Sequence, residues 1–82
     1  MNTSDLVIIP TAGLGTRLGD LTKNLNKSLI PLKNQPVITH IINRFSSETK
    51  FIIILGNFAE QVRTYLCIAH KDRHFIFHRV DD

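Results

Sequence analysis

The sequence predicts an α/β fold built on a parallel sheet, and three observations carry the prediction. Apolar runs at Leu6 to Ile9, Phe51 to Leu55 and His74 to Val80 have the length and the aromatic and β-branched content of strands. The segments between them repeat apolar residues at helical spacing. A glycine-rich turn follows the first run directly. The resulting order of strand, helix, strand, helix, strand calls for parallel pairing through right-handed crossovers.

Leu6 to Ile9 is a short run closed by Pro10, which has no N–H to give to a ladder. It reads as a buried central strand. Gly13 and Gly15 then stand at alternate positions, where a missing Cβ permits positive φ and lets a ligand approach the backbone. Thr16 adds a hydroxyl donor. Arg17 can fork onto phosphate oxygens, while Lys27, ten residues on, is a compact charge on a flexible stem. Bare N–H groups with two cations suit a nucleoside triphosphate. The turn is not a P-loop, because no Gly-Lys-Ser/Thr follows at the required spacing, and it lacks the third glycine of the dinucleotide fingerprint. Without the flanking segments, the same residues would read equally well as a plain chain reversal with solvated charges.

Val37, Ile38, Ile41, Ile42 and Phe45 give one apolar helical face, with Pro36 near the helix start. Ser46 to Lys50 is a short loop, and Phe51 to Leu55 is a continuous apolar run that reads as a buried strand. Asn57 with Glu60 three residues later forms a capping box for a second helix. Along that helix Phe58, Val62, Leu66 and Ala69 fall at roughly four-residue intervals. In the last strand Phe75 and Phe77 share one face and Ile76 takes the other. Ligands of such sheets bind outside the carboxyl ends of the strands, where the Gly13 turn is expected.

With these residues in view, the chain resembles the sugar-phosphate nucleotidylyltransferases. Ala12-Gly13-Leu14-Gly15-Thr16-Arg17-Leu18, then Leu21-Thr22, then Lys27-Ser28-Leu29-Ile30-Pro31-Leu32 are similar, without a gap, to that family's glycine-rich turn, Leu-Thr pair and Lys-x-Leu-x-Pro segment. Gln35 to Ile42 resembles its first helix, and the likeness continues weakly through Phe51 to Leu66. The resemblance implies a Rossmann-like sheet and a reaction in which a phosphate oxygen attacks the α-phosphorus of a nucleoside triphosphate, releasing pyrophosphate. Positioning and charge stabilisation, with Mg²⁺, supply the catalysis in such a reaction. By position, Ala12, Gly13, Leu14, Gly15 and Thr16 are expected to bind the nucleotide. Arg17 is expected to hold the departing pyrophosphate and Lys27 to bridge the α-phosphate and the incoming phosphate, so these two are the catalytic candidates. The family's metal-holding carboxylate lies on a later strand, so no residue here is assigned to metal, Asp81 and Asp82 included. Asn26 and Asp20 stand where many members carry proline. Some members with a polar residue before Lys-x-Leu resemble capsule-sugar or phosphocholine nucleotidylyltransferases, which leaves base and acceptor open: a phosphorylated sugar or a similar alcohol.

Length adds a further expectation. A family domain is much longer than 82 residues, so residues 1–82 read as the amino-terminal portion of one: a truncated gene product, a cloned fragment, or one half of something completed by a partner. Alone it is expected to be inactive, and its open sheet edge favours self-association. The alternative is a non-catalytic nucleotide-binding or interaction fragment.

Composition is less specific. The hydrophobic fraction of 43% excludes whole-chain disorder, and a net charge of +3 without a basic run or interleaved aromatics gives no nucleic-acid groove. No stretch nears the roughly 20 apolar residues of a membrane span, and the first residues lack a charged leader, so a cytoplasmic location is the default expectation. Cys67 is the single cysteine and is expected to be incidental or structural. His70, His74 and His78 recur every four residues and would align as metal ligands on a helix, but their segment reads as turn and strand. His40 is expected half-buried or at the helix surface.

Overall fold

The computed structural model describes residues 5–11 and 26–80. Three strands form one parallel sheet: β1 (Leu6–Pro10), β4 (Lys50–Leu55) and β5 (His74–Arg79), in the order β1-β4-β5. The connection to β4 runs through a 3-10 turn (Lys27–Leu29), a two-strand hairpin of β2 (Pro31–Leu32) and β3 (Gln35–Pro36), and helix α1 (Val37–Ile42). Helix α2 (Ala59–Ala69) connects β4 to β5. The α/β class, the parallel pairing and the order of the major elements are those expected.

Register sets Ile8, Ile52 and Ile76 in one cross-strand row. Two crossovers of the same hand, each stepping one strand in the same direction, place both helices on one face of the sheet. That face holds the core: Ile9, Phe51, Ile53 and Leu55 from the strands meet Ile38 and Ile42 of α1 and Ala59, Val62 and Leu66 of α2. Phe51 is fully buried, with the rings of Phe45 edge-on at 5.9 Å and Phe75 tilted at 5.7 Å. The opposite face carries Leu6, Ile8 and Ile76, which are 57%, 61% and 55% exposed.

That asymmetry corrects the reading of β1 as a buried central strand. Among the described residues β4 is central and β1 is an edge strand, with Ile9 buried and its neighbours alternating outward. An unbroken apolar run does not tell a strand covered on both faces from one covered on a single face.

Helix α1 is also shorter than its apolar period. It ends at Asn43, whose N–H donates to the Thr39 and Ile41 carbonyls, so Phe45 packs on the core from the following turn. Arg73 donates to the carbonyls of Ile42 at the end of α1 and of Phe45 and Ser46 in the loop after it, tying that loop to the start of β5. Its guanidinium lies 5.7 Å from the centre of the Phe51 ring. Thr39 ties the two helices together, its buried hydroxyl meeting the Tyr65 hydroxyl at 2.5 Å and His70 Nε2 at 2.9 Å.

The capping box at Asn57 and Glu60 does not form. The residue before α2 is Phe58, in the left-handed region at φ 57°, and it makes no side-chain cap bond. The helix begins one residue later than the box requires, and its buried face is Ala59, Val62 and Leu66, with Phe58 and Ala69 exposed. Cys67 lies exposed on α2. His70 closes α2 while His74 and His78 lie on β5, so the three share no helix. His40 is half-buried on α1, its Nε2 2.6 Å from the Leu32 carbonyl oxygen.

Candidate functional site

Strand β1 delivers Pro10 and Thr11 to the carboxyl edge of the sheet. Thr11 extends the pairing by one residue: its N–H donates to the Ile54 carbonyl at 2.9 Å and its hydroxyl to the same oxygen at 2.8 Å. Beside this end lies an open groove of about 450 Å³. Its floor is Ile9, Pro10 and Thr11, the 3-10 turn supplies Lys27 and Ser28, and Ile30, Val37 and Ile41 close the far wall. A volume in that range suits a small-molecule ligand. The walls are mostly aliphatic, with the exposed Lys27 as the cation at the rim.

The turn that carries Lys27 is held from beneath by Asn26. Asn26 is 3% exposed, and all of its side-chain polar atoms are used. Nδ2 donates to the Thr11 carbonyl at 2.9 Å and to the Asn57 carbonyl at 2.7 Å. Oδ1 accepts from the Ser28 N–H at 2.9 Å and from the Ser28 hydroxyl at 2.7 Å. The Asn26 N–H donates to Oε1 of Gln61 on α2 at 3.0 Å. One side chain therefore joins the segments leaving β1 and β4 to the first turn after Lys27. This residue is legible in the sequence only as a departure from proline, and its burial needs the fold. The local signal is Asn-x-Ser, an Asx turn that starts a short helix.

Of the residues expected at the site, Lys27 is on the groove. Ala12, Gly13, Leu14, Gly15, Thr16 and Arg17 lie outside the described residues, and so do Asp20, Asp81 and Asp82. Among the described residues no group of three or more His, Cys, Asp or Glu side chains could hold a metal ion, and no helix is long and apolar enough to cross a membrane. The hairpin that precedes α1 was not foreseen. Lys33 and Asn34 both take positive φ, at 52° and 72°, as a two-residue turn matched to the strand twist requires. It brings Val37 back to the groove, where the Val37 N–H donates to the Ile30 carbonyl.

The family model described as nucleotidyl transferase matches residues 6–72, from the first residue of β1 to the turn after α2. The chain belongs to the nucleotidyl transferase family. A UTP--glucose-1-phosphate uridylyltransferase of Mycoplasma pneumoniae is 37% identical over 71 residues, which are 84% of this chain and 23% of that protein. A bifunctional protein GlmU of Methanococcus maripaludis is 37% identical over 59 residues, 71% of this chain and 14% of its own length. A UTP--glucose-1-phosphate uridylyltransferase of Escherichia coli K12 is 44% identical over 36 residues, 44% of this chain and 12% of its length. The chain thus spans less than a quarter of each of these nucleotidyl transferase relatives. No solved structure matches it significantly.

Proposed function

We propose that this chain supplies the nucleotide-binding edge of a sugar-phosphate nucleotidyl transferase, with UTP and a sugar 1-phosphate as the substrate pair to test first. The observation that carries the reading is Lys27. In this member of the family, the lysine of the Lys-x-Leu-x-Pro segment stands on a short turn capped by the buried Asn26, at the rim of a groove at the carboxyl end of β1. The printed names of two relatives add UTP and glucose 1-phosphate as the chemistry to try.

In the reaction proposed, an oxygen of the sugar phosphate attacks the α-phosphorus of the triphosphate. A new P–O bond forms there as the bond to the bridging α,β-oxygen breaks, and that oxygen leaves with pyrophosphate. The part of this chain is to bind and orient. The Gly13 and Gly15 turn offers N–H groups to the phosphates, and Ala12, Leu14 and Thr16 contact the nucleotide. Arg17 pairs with the β- and γ-phosphates. Lys27 lies between the α-phosphate and the acceptor phosphate, lowering the repulsion between two anions that must meet. Mg²⁺ would offset phosphate charge, but the described residues make no carboxylate site for it and no step here is routed through it. The proposed substrate, a free nucleoside triphosphate, supports a cytoplasmic location as part of this proposal.

The test is pyrophosphate release from UTP that depends on glucose 1-phosphate, in the longest polypeptide carrying this sequence. Lys27→Ala is expected to lower turnover at least about a hundredfold, the loss typical of a group that stabilises transition-state charge. Near-normal turnover in that variant sinks the role of Lys27. A second reading is a nucleotide-binding module without transfer, for which the groove and Lys27 alone would suffice. Tight nucleotide binding with no pyrophosphate release would select it.

A further inference from the structure

We infer that Asn26 is the positioning residue for Lys27: its side chain, not the backbone turn alone, sets where the ammonium group stands over the groove. The inference rests on the reading that Lys27 meets the phosphates of a nucleotide.

The geometry points to a clamp. The 3-10 turn from Lys27 to Leu29 is only three residues long and contributes no buried residue to the core. Its own backbone bonds, Leu29 N–H to the Asn26 carbonyl and Ile30 N–H to the Lys27 carbonyl, are local. On its far side it is tied by the Val37 N–H to the Ile30 carbonyl and by half-buried Leu29 against the core, which leaves the Lys27 end to Asn26. A turn this short is not stable by propagation and needs an outside anchor. Asn26 provides it on three sides: to Thr11 at the end of β1, to Asn57 after β4, and to Gln61 on α2. Thr11 is itself fixed to Ile54 of the central strand by two donors, so the anchor reaches the sheet through one intermediate residue.

The chemistry of the amide is specific to this task. Two carbonyl oxygens face Nδ2 and need a group with two donors, while the Ser28 N–H and hydroxyl need an acceptor at the other end. Asparagine meets both demands with one short side chain, and a carboxylate cannot donate to either carbonyl. Burial strengthens the requirement at Thr11, whose bond to Asn26 is buried, so that its carbonyl left without the donor costs the desolvation of an unpaired acceptor. A released Asn26 side chain therefore frees the turn beneath Lys27 while the core of Phe51, Ile53 and Leu55 stays intact. An ammonium on a loosened turn samples many positions, and the entropy of confining it is then lost from binding.

The experiment is a double-mutant cycle on the 82-residue chain, titrated calorimetrically with UTP and Mg²⁺, together with amide hydrogen exchange. Asn26→Ala is the main variant and Asn26→Ser, which keeps a small polar group, the second. Circular dichroism reports whether each is folded. Lys27→Ala and Asn26→Ala are each expected to weaken binding about tenfold, the size of one charge-assisted contact, and the double variant to lose no more than the worse single one. The Ser28 amide, protected in the parent chain, is expected to exchange freely in Asn26→Ala while amides of β4 keep their protection. If Lys27→Ala weakens binding and Asn26→Ala does not, or if the two losses multiply, the positioning role is overturned. If the parent chain does not bind, or Lys27→Ala is without effect, the nucleotide reading fails instead. In that case an unchanged Ser28 exchange rate in a folded Asn26→Ala chain still overturns the clamp, and selective loss of protection upholds it.

Discussion

Phe51 shows how much of a small domain can hang on one side chain. It is the meeting point of the central strand, the α1 turn through Phe45, the β5 face through Phe75 and the Arg73 guanidinium. Phe51→Ala is expected to cost about 3–5 kcal/mol, of a domain stability on the order of 5–15 kcal/mol. Urea denaturation followed by circular dichroism checks it, and a shift of the midpoint smaller than that of Phe75→Ala would contradict the central place of Phe51. Phe58 is the opposite case, since a bulky residue at φ 57° opposes its own backbone while its side chain remains partly exposed. Phe58→Gly is expected to stabilise the fold by about 1 kcal/mol, read as a higher urea midpoint, and Phe58→Val to lower that midpoint. Strain of this kind beside Asn57, whose carbonyl Asn26 takes, places a sparsely populated conformation at the edge of the candidate site.

At the level of elements, the helices are joined by polar contacts at Thr39, Tyr65 and His70 as well as by the core. Burial first, and then the Arg73 guanidinium, hold the His70 imidazole below its ordinary value of 6.5. The folded state thus binds this proton less readily than the unfolded chain does. Its contribution to stability is present in full above the unfolded value and is lost as the pH falls through 6.5 and then through the lower folded value. Melting temperature is expected to fall on acidification from about pH 8 to about pH 5, and His70→Gln to flatten part of that slope. A slope identical in both chains would show that His70 does not carry it.

The same scale explains what the sequence could and could not reveal. Strands β4 and β5 and helix α2 are legible because period and length agree over six or more residues. The α1 boundary is not, because Phe45 keeps the helical phase after the backbone has turned, and the aromatic ring reaches the core from either geometry. The Asn57 box failed by one residue for a related reason: Asn57 gives its carbonyl to Asn26, a partner 31 positions away that no local pattern encodes. The glycine-rich signature and Lys27 were legible from spacing and resemblance. Asn26 stood in the same stretch, yet its importance comes from contacts with three distant segments.

For the whole molecule, the bare face of the sheet is the main consequence of putting both helices on one side. Leu6, Ile8 and Ile76 present aliphatic surface that a folded chain in water shields where it can. We propose that copies of the chain associate through this face, so that Ile8→Lys and Ile76→Lys leave the far-ultraviolet spectrum unchanged and lower the mass seen by light scattering. A monomeric parent chain, or an unchanged mass in the variants, would contradict it.

The proposed function puts a phosphate-bearing ligand in the groove at the carboxyl end of β1, where Lys27 lies. The most direct test is isothermal titration of the folded chain with each of the four common nucleoside triphosphates, with and without Mg²⁺, beside Arg17→Ala and Lys27→Ala. The account predicts saturable binding of at least one nucleotide, strengthened by Mg²⁺ and weakened in both variants. A folded chain that binds none of the four, or binds one with an affinity indifferent to Lys27→Ala, would contradict it.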